Sequence, residues 1–274
     1  MPFVPAHTLV GDPAAPKLAF LLHGALGSGN NLRSLATKLG QQRPEYRFCL
    51  VDLRHHGESQ GAPPPNTLES CANDLAALIA QLGKEPEVIA GHSFGGKTAL
   101  MFSQLFPGRT RQLWILDSNP GAQEPTAGNE VIRVIQAVRS ATTPAADRAL
   151  VVQELTDQGL STGTANWLAT NLQRRPEGFV WRFNLDAIYE LMLDYFRVDL
   201  WPVLESGTAD SDFRVVVAER SDRWAPENRL RLATMLETVR AQGTVELHIV
   251  PNAGHWLHVD NPAFLLELMG RNLY

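Results

Sequence analysis

The chain has little of what marks several functional classes. Of its 274 residues only two are cysteines, Cys49 and Cys71. Each falls in an apolar stretch, so both read as buried free thiols rather than the framework of a disulfide-stapled domain, and a reducing, cytoplasmic location is expected. No cysteine pair or histidine cluster has metal-ligand spacing, so no metal is expected. Positive charge is in deficit: 24 Lys and Arg stand against 29 Asp and Glu, a formal net charge of −5. That balance lacks the basic footprint of a nucleic-acid-binding surface. No apolar run reaches the roughly 20 residues that span a bilayer, so no integral membrane segment is expected. The opening Met1-Pro2-Phe3-Val4-Pro5 has neither the basic start nor the apolar core of a signal peptide. Internal repeats are absent, and Gly61-Ala62-Pro63-Pro64-Pro65 reads as a stiff surface loop.

What is present is a 44% apolar composition, enough for one substantial core. It includes strand-length apolar runs at residues 18–22, 48–51, 88–90, 113–116, 215–218 and Val245–Val250. Such near-continuous runs suit strands covered on both faces, as in a parallel sheet. Residues 3–9 read as an antiparallel edge strand. Helical patterns alternate with the runs. Asn66-Thr67-Leu68-Glu69 reads as a cap opening a helix to about Leu82, and Asn261-Pro262 as the cap and first residue of the last helix. This order predicts an open α/β fold. The alternation stops between 118 and 207, where helices are expected at Glu130–Ser140, 145–158, 164–174, 185–195 and 198–205. The expected division is therefore a core of residues 1–117 and 208–274 with a helical cap or lid at 118–207. A lid there would lie over the carboxyl ends of the strands, where open α/β sheets bind ligands.

Gly91-His92-Ser93-Phe94-Gly95 carries the chemistry. It has the G-x-S-x-G pattern that turns a strand sharply into a helix and exposes a serine, with an apolar strand before it and a good helical run after it. A serine hydroxyl is a weak nucleophile at neutral pH and needs a base, itself oriented by an acid. His255, in Asn252-Ala253-Gly254-His255-Trp256 just after the last apolar strand, is the expected base; His258 reads as a packing residue at the start of the following helix. Two residues compete for the acid. Asp222 follows the strand at 215–218, the usual loop for it, and is placed first; Asp117 ends the strand at 113–116 and is the alternative. Two N–H donors must hold the developing oxyanion. The Phe94 amide is one, and the glycine-rich loop His23-Gly24-Ala25-Leu26-Gly27-Ser28 supplies the other through Ala25, with Leu26 as the second choice.

Other polar residues have blander readings. His23 reads as a loop hydrogen-bonding residue. The adjacent His55 and His56 lack a third ligand and read as structural. His92 packs beneath the serine turn, and Lys97 reads as a salt-bridge partner. Trp167, Phe179, Trp181, Ile188, Tyr189, Met192 and Phe196 are candidates for the lid's pocket wall or its own core. Arg174, Arg175 and Arg182 are solvated arginines, or partners for an anionic acyl donor such as a coenzyme A ester.

Four segments together resemble the α/β-hydrolase superfamily over nearly the whole length: His23-Gly24 with its loop, Asp52-Leu53-Arg54-His55-His56-Gly57-Glu58-Ser59, Gly91 to Ala99, and Ala253-Gly254-His255-Trp256-Leu257-His258. Within it, Lys97-Thr98 after the serine turn and the segment Phe179-Val180-Trp181-Arg182-Phe183-Asn184-Leu185-Asp186 are similar to the small YbfF-type bacterial esterases and their mitochondrial relatives. The resemblance implies Ser93 as nucleophile, His255 as base, and hydrolysis of a small-molecule acyl ester or thioester through an acyl-enzyme, without a cofactor. It also implies an acid after the earlier strand, which adds weight to Asp117 and leaves both aspartates in play. Two other readings remain: a carbon–carbon hydrolase or lyase on the same fold, and a non-catalytic ligand receptor or interaction protein.

Overall fold

A computed structural model describes residues 3–126, 129–206, 211–239 and 245–274. Its strands are β1 His7–Val10, β2 Lys17–Leu22, β3 Tyr46–Val51, β4 Val88–His92, β5 Gln112–Leu116, β6 Leu172–Arg175, β7 Gly178–Trp181, β8 Asp212–Ala218 and β9 Val245–Val250. The helices are α1 Arg33–Gln42, α2 Leu68–Leu82, α3 Phe94–Leu105, α4 Glu130–Ser140, α5 Arg148–Asp157, α6 Thr162–Ala169, α7 Leu185–Arg197, α8 Trp201–Glu205, α9 Pro226–Val239, α10 Leu257–Asp260 and α11 Pro262–Asn272.

Among the described residues seven strands form one sheet in the order β1-β3-β2-β4-β5-β8-β9. Every neighbouring pair is parallel except β1 with β3. The fold is thus the expected α/β-hydrolase type, a mostly parallel sheet flanked by helices. Successive side chains of a strand point to opposite faces, and here both faces are dry. Leu18, Phe20 and Leu22 of β2 join a cluster with Leu75 of α2 and Leu100 and Phe102 of α3. Ala19 and Leu21 face the other way, into a cluster with Leu39 of α1 and Leu265 and Met269 of α11. The edge strand begins at His7 rather than residue 3; Pro5, with no N–H, cannot donate to a ladder there. Thr67 caps α2 by accepting from the Ser70 amide, and Asn261 caps α11 by accepting from Phe264.

The chain runs from β2 outward to β3, then back across to β4 on the other side of β2. This reversal makes the crevice between the β2 and β4 ends the topological switch point. In register, Leu22 lies opposite Gly91, so the glycine-rich loop after β2 and the serine turn after β4 emerge side by side.

Between β5 and β8 lie α4 to α8 and a hairpin of β6 with β7. The hairpin corrects the expected helix at 164–174: α6 stops at Ala169, and Gly178 with φ +135 opens β7 through a conformation side chains resist. The expected boundary at 207/208 lies outside the described residues. The two ends of this stretch meet. The Gln123 amide donates to the Phe196 carbonyl at 2.7 Å, and the Leu200 amide to the Pro120 carbonyl at 2.9 Å. Beneath that closure is Lys97 of α3, fully buried. Its Nζ donates to the carbonyls of Gly121 at 2.8 Å and Tyr195 at 2.6 Å and lies over the Tyr195 ring. The salt bridge expected for Lys97 is not made: no carboxylate among the described residues is within bonding distance of it. Burial pulls its pKa down to about 7.

Space at the serine turn decides which residues fit. A Cβ on Gly91 would collide with the Gly95 carbonyl, whereas a Cβ on Gly40, inside α1, would stand 3.9 Å from the Phe48 ring. Gly91→Ala is therefore expected to lower the unfolding free energy by about 1–3 kcal/mol or more in urea titrations. Gly40→Ala is expected to raise it by roughly 0.5–1 kcal/mol through helix propensity.

Candidate active site

Ser93 sits between β4 and α3 with φ 52 and ψ −115, a backbone conformation a non-glycine residue holds only when its surroundings force it. Gly95 lets α3 press against β2: a Cβ there would stand 2.6 Å from the Leu22 carbonyl oxygen. As the first residue of α3, Phe94 has an amide with no acceptor inside the helix, and it points out of the N-terminal end.

His255 follows β9, and Asp117 directly follows β5 with φ 46. Their side chains meet: His255 Nδ1 lies 2.7 Å from Asp117 Oδ2. Asp117 is fully buried. Its Oδ1 also accepts from the Ala218 amide at 3.0 Å, and its Oδ2 from Ser221 Oγ at 2.6 Å. All three contacts are donors to the carboxylate, which suits its ionised form and assigns the imidazole proton to Nδ1. His255 Nε2 is then the lone-pair nitrogen. Burial pushes Asp117 above the usual carboxylate range while its bonds from Ser221 and Ala218 pull it back. Burial first, then the Arg223 guanidinium, holds His255 well below the ordinary histidine value, so the ring is neutral at pH 7.

The structure does not bring Asp222 to this pair. Its side chain is 72% exposed and faces Arg223 at 3.3 Å. Loop position alone favoured Asp222, but its backbone carries the carboxylate outward, while the parallel pairing of β5 with β8 aims Asp117 at the imidazole. Ser221, which has no local sequence signal, is the residue of that loop that reaches Asp117.

The glycine-rich loop is set by two other histidines. The Leu26 amide donates to His56 Nε2 at 3.0 Å, so the second choice for oxyanion donor is already engaged. The Ala25 amide has no hydrogen-bond acceptor among the described residues. His56 Nδ1 bonds the Arg54 carbonyl at 2.9 Å; His23 Nδ1 bonds the Gly24 carbonyl at 2.7 Å, and its Nε2 accepts from the Leu53 amide at 3.0 Å. Each therefore bridges the loops after β2 and β3 as a neutral ring, consistent with a structural role. His55 bonds Asn66 at 2.6 Å, and no group of His, Cys, Asp or Glu among the described residues could hold a metal ion.

Ser93, His255, Ala25, Leu26, His92 and Gly24 line one cavity with a volume of about 50 Å³. Val131, Val134 and Glu130 of α4, Thr164 and Trp167 of α6, and Trp256 and Arg223 complete the wall. Of the aromatic and aliphatic candidates from residues 167–196, only Trp167 reaches it; Ile188, Met192 and Phe196 are buried in the core, and Phe179, Trp181 and Tyr189 pack on it. Arg223 is paired with Glu130 and Asp222. Arg182 pairs with Glu58, Arg174 lies over the Phe179 ring, and neither they nor Arg175 line the cavity.

Residues 19–268 match the alpha/beta hydrolase family. The chain belongs to that family. It is 32% identical to the sn-1-specific diacylglycerol lipase ABHD11 of Mus musculus over 94% of this chain and 81% of that protein. It is 25% identical to esterase YbfF of Escherichia coli (strain K12), over 92% and 91% of the two chains. Among solved structures, a marine microorganism esterase superposes with a TM-score of 0.82 at 26% identity, covering 97% of this chain and 98% of its own. As a member of the alpha/beta hydrolases this chain is an enzyme of the hydrolase class, and no described helix is long and apolar enough to cross a membrane.

The buried neutral histidines are expected to make this hydrolase less stable in acid. Burial lowers His23 to about 4 and His56 to about 3, against 6.5 when unfolded. Below pH 6.5 the unfolded chain binds protons that the folded one refuses, so stability falls as pH drops, down to about pH 4 for His23 and pH 3 for His56. Each ring contributes a slope of about 1.4 kcal/mol per pH unit. Urea unfolding between pH 7.5 and 4.5 is expected to show this loss beginning near 6.5, and His56→Gln is expected to lower its slope by about 1.4 kcal/mol per pH unit.

Proposed function

We propose that this chain is a serine hydrolase that cleaves a carboxylic ester or acyl thioester through an acyl-enzyme. The observation that carries the reading is the buried His255–Asp117 hydrogen bond, at 2.7 Å, beside a serine in the strained elbow conformation. In this reading His255 Nε2 takes the Ser93 proton as Oγ attacks the carbonyl carbon. Asp117 holds the Nδ1–H tautomer and stabilises the imidazolium. The Phe94 and Ala25 amides receive the oxyanion, His255 returns the proton to the leaving alcohol or thiol, and a water activated by the same ring releases the acid. No step calls for a cofactor. The related lipase and esterases favour ester chemistry.

Helices α4 and α6 act in this proposal as a lid over Ser93, contributing Val131, Val134 and Trp167 as an apolar acyl wall. The space beside Ser93 is small, about 50 Å³, which favours short acyl groups against those helices. Coenzyme A thioesters are disfavoured because Arg174, Arg175 and Arg182 lie away from the cavity. A carbon–carbon hydrolase acting on a carboxylate-bearing substrate is disfavoured for a related reason: Arg223, the cation at the wall, is already neutralised by Glu130 and Asp222.

Turnover of p-nitrophenyl esters from acetate to palmitate tests the reading. Activity is expected to be highest on the short esters and to vanish in Ser93→Ala. Absence of turnover and of fluorophosphonate labelling in the folded protein would overturn it and return weight to the receptor reading. The acid is tested separately. Asp117→Asn is expected to lower kcat by about 10³–10⁴-fold by removing the anion that fixes the tautomer. Asp222→Asn is expected to stay within about threefold of the parent, since an exposed pair contributes little.

A further inference from the structure

His92 precedes the nucleophile and is buried to 1% exposure, yet the chemistry above assigns it nothing. Its side chain touches two separate segments of the site, the stretch 255–258 and the loop at Gly24. Nε2 donates to the backbone carbonyl of His255 at 2.8 Å. The ring packs against the rings of His255, Trp256 and His258, with centroids 4.7, 5.5 and 4.9 Å away. On the opposite side, Nδ1 lies 3.0 Å from where a Cβ on Gly24 would stand, so the oxyanion loop closes directly onto the ring.

The backbone around His255 is held on both sides but hardly at His255 itself. The Ala253 carbonyl accepts from Arg220 at 2.9 Å, and the Trp256 carbonyl accepts from Val259 at 2.7 Å and Asp260 at 2.9 Å. At residue 255 the bond from His92 is the one backbone tie among the described residues. The position of the imidazole is thus set at two points, Nδ1 by Asp117 and the main chain by His92.

We infer that His92 is a positioning residue: by bonding the His255 carbonyl and bearing on Gly24, it fixes base, nucleophile and oxyanion loop relative to one another. It exchanges no proton with substrate. The role rests on the proposed triad, so the test includes a readout that does not depend on turnover.

His92→Phe keeps the ring packing and removes the donor; His92→Gln removes the ring but carries an amide that can reach the same carbonyl. With p-nitrophenyl acetate, His92→Phe is expected to lose about 100-fold in kcat, the scale of an ångström of misplacement, with KM within about twofold. His92→Gln is expected to recover at least about tenfold of that loss. Hydrogen exchange is expected to quicken across residues 252–258 in His92→Phe, to return towards the parent rate in His92→Gln, and to stay unchanged in β4 and β5. Parent-like kcat and exchange in His92→Phe, equal losses in both variants, or a uniform rise in exchange through the sheet would each overturn the inference. If the parent turns over no ester, the function proposal fails alone, and the exchange pattern still decides whether His92 holds the loop.

Discussion

Ser93 stays at φ 52 only because no atom can be added around it. A Cβ at Gly91 or Gly96 would run into the opposite arm of the turn or into Ser118, and one at Gly95 into β2. That absence of side chains leaves Ser93 as the single residue between the end of β4 and the start of α3. The other segments at the site are arranged against this turn: the loop after β2 lies beside it through the β2–β4 register, and the loop carrying His255 is tied to His92. The strain costs on the order of 1–3 kcal/mol and persists because the packed sheet over-determines it.

The carboxylate of Asp117 plays the matching part on the other side. It directly follows β5, accepts from the end of β8 and from the loop after it, and meets the ring that follows β9. Three neighbouring strand ends converge on one buried anion. The alignment of the imidazole is consequently a property of the sheet and not of a loop alone. The loop histidines work by a related principle. His23 and His56 each donate through Nδ1 and accept through Nε2, a pairing available only to a neutral ring, and so they join two loops without placing charge in the core.

Most of the fold could be read from the residues because the strands are wrapped on both faces and print as unbroken apolar runs. The hairpin β6–β7 could not: Arg174 and Arg175 are exposed, its strands are four residues each, and its apolar residues also fit a helical spacing. At the site, Ser93 and His255 were legible because each sits in a local pattern. The choice between Asp117 and Asp222 was not, since both end or follow a strand and only the pairing of β5 with β8 decides which carboxylate turns inward. The engagement of Leu26 by His56 depends on a residue 30 positions away, and Lys97 finds carbonyls where a sequence suggests carboxylates; neither has a local signature.

The stretch between β5 and β8 leaves the sheet and returns to it at nearly one point, zipped by the Gln123–Phe196 and Leu200–Pro120 bonds. To the sheet, such a stretch is a closed loop whatever it contains. The entropy of closing a loop grows only with the logarithm of its length, about 0.6 kcal/mol for each doubling. In closure entropy alone, helices can therefore be lengthened or shortened within that loop at little cost to the seven strands, whereas around Ser93 not even a methyl group can be added.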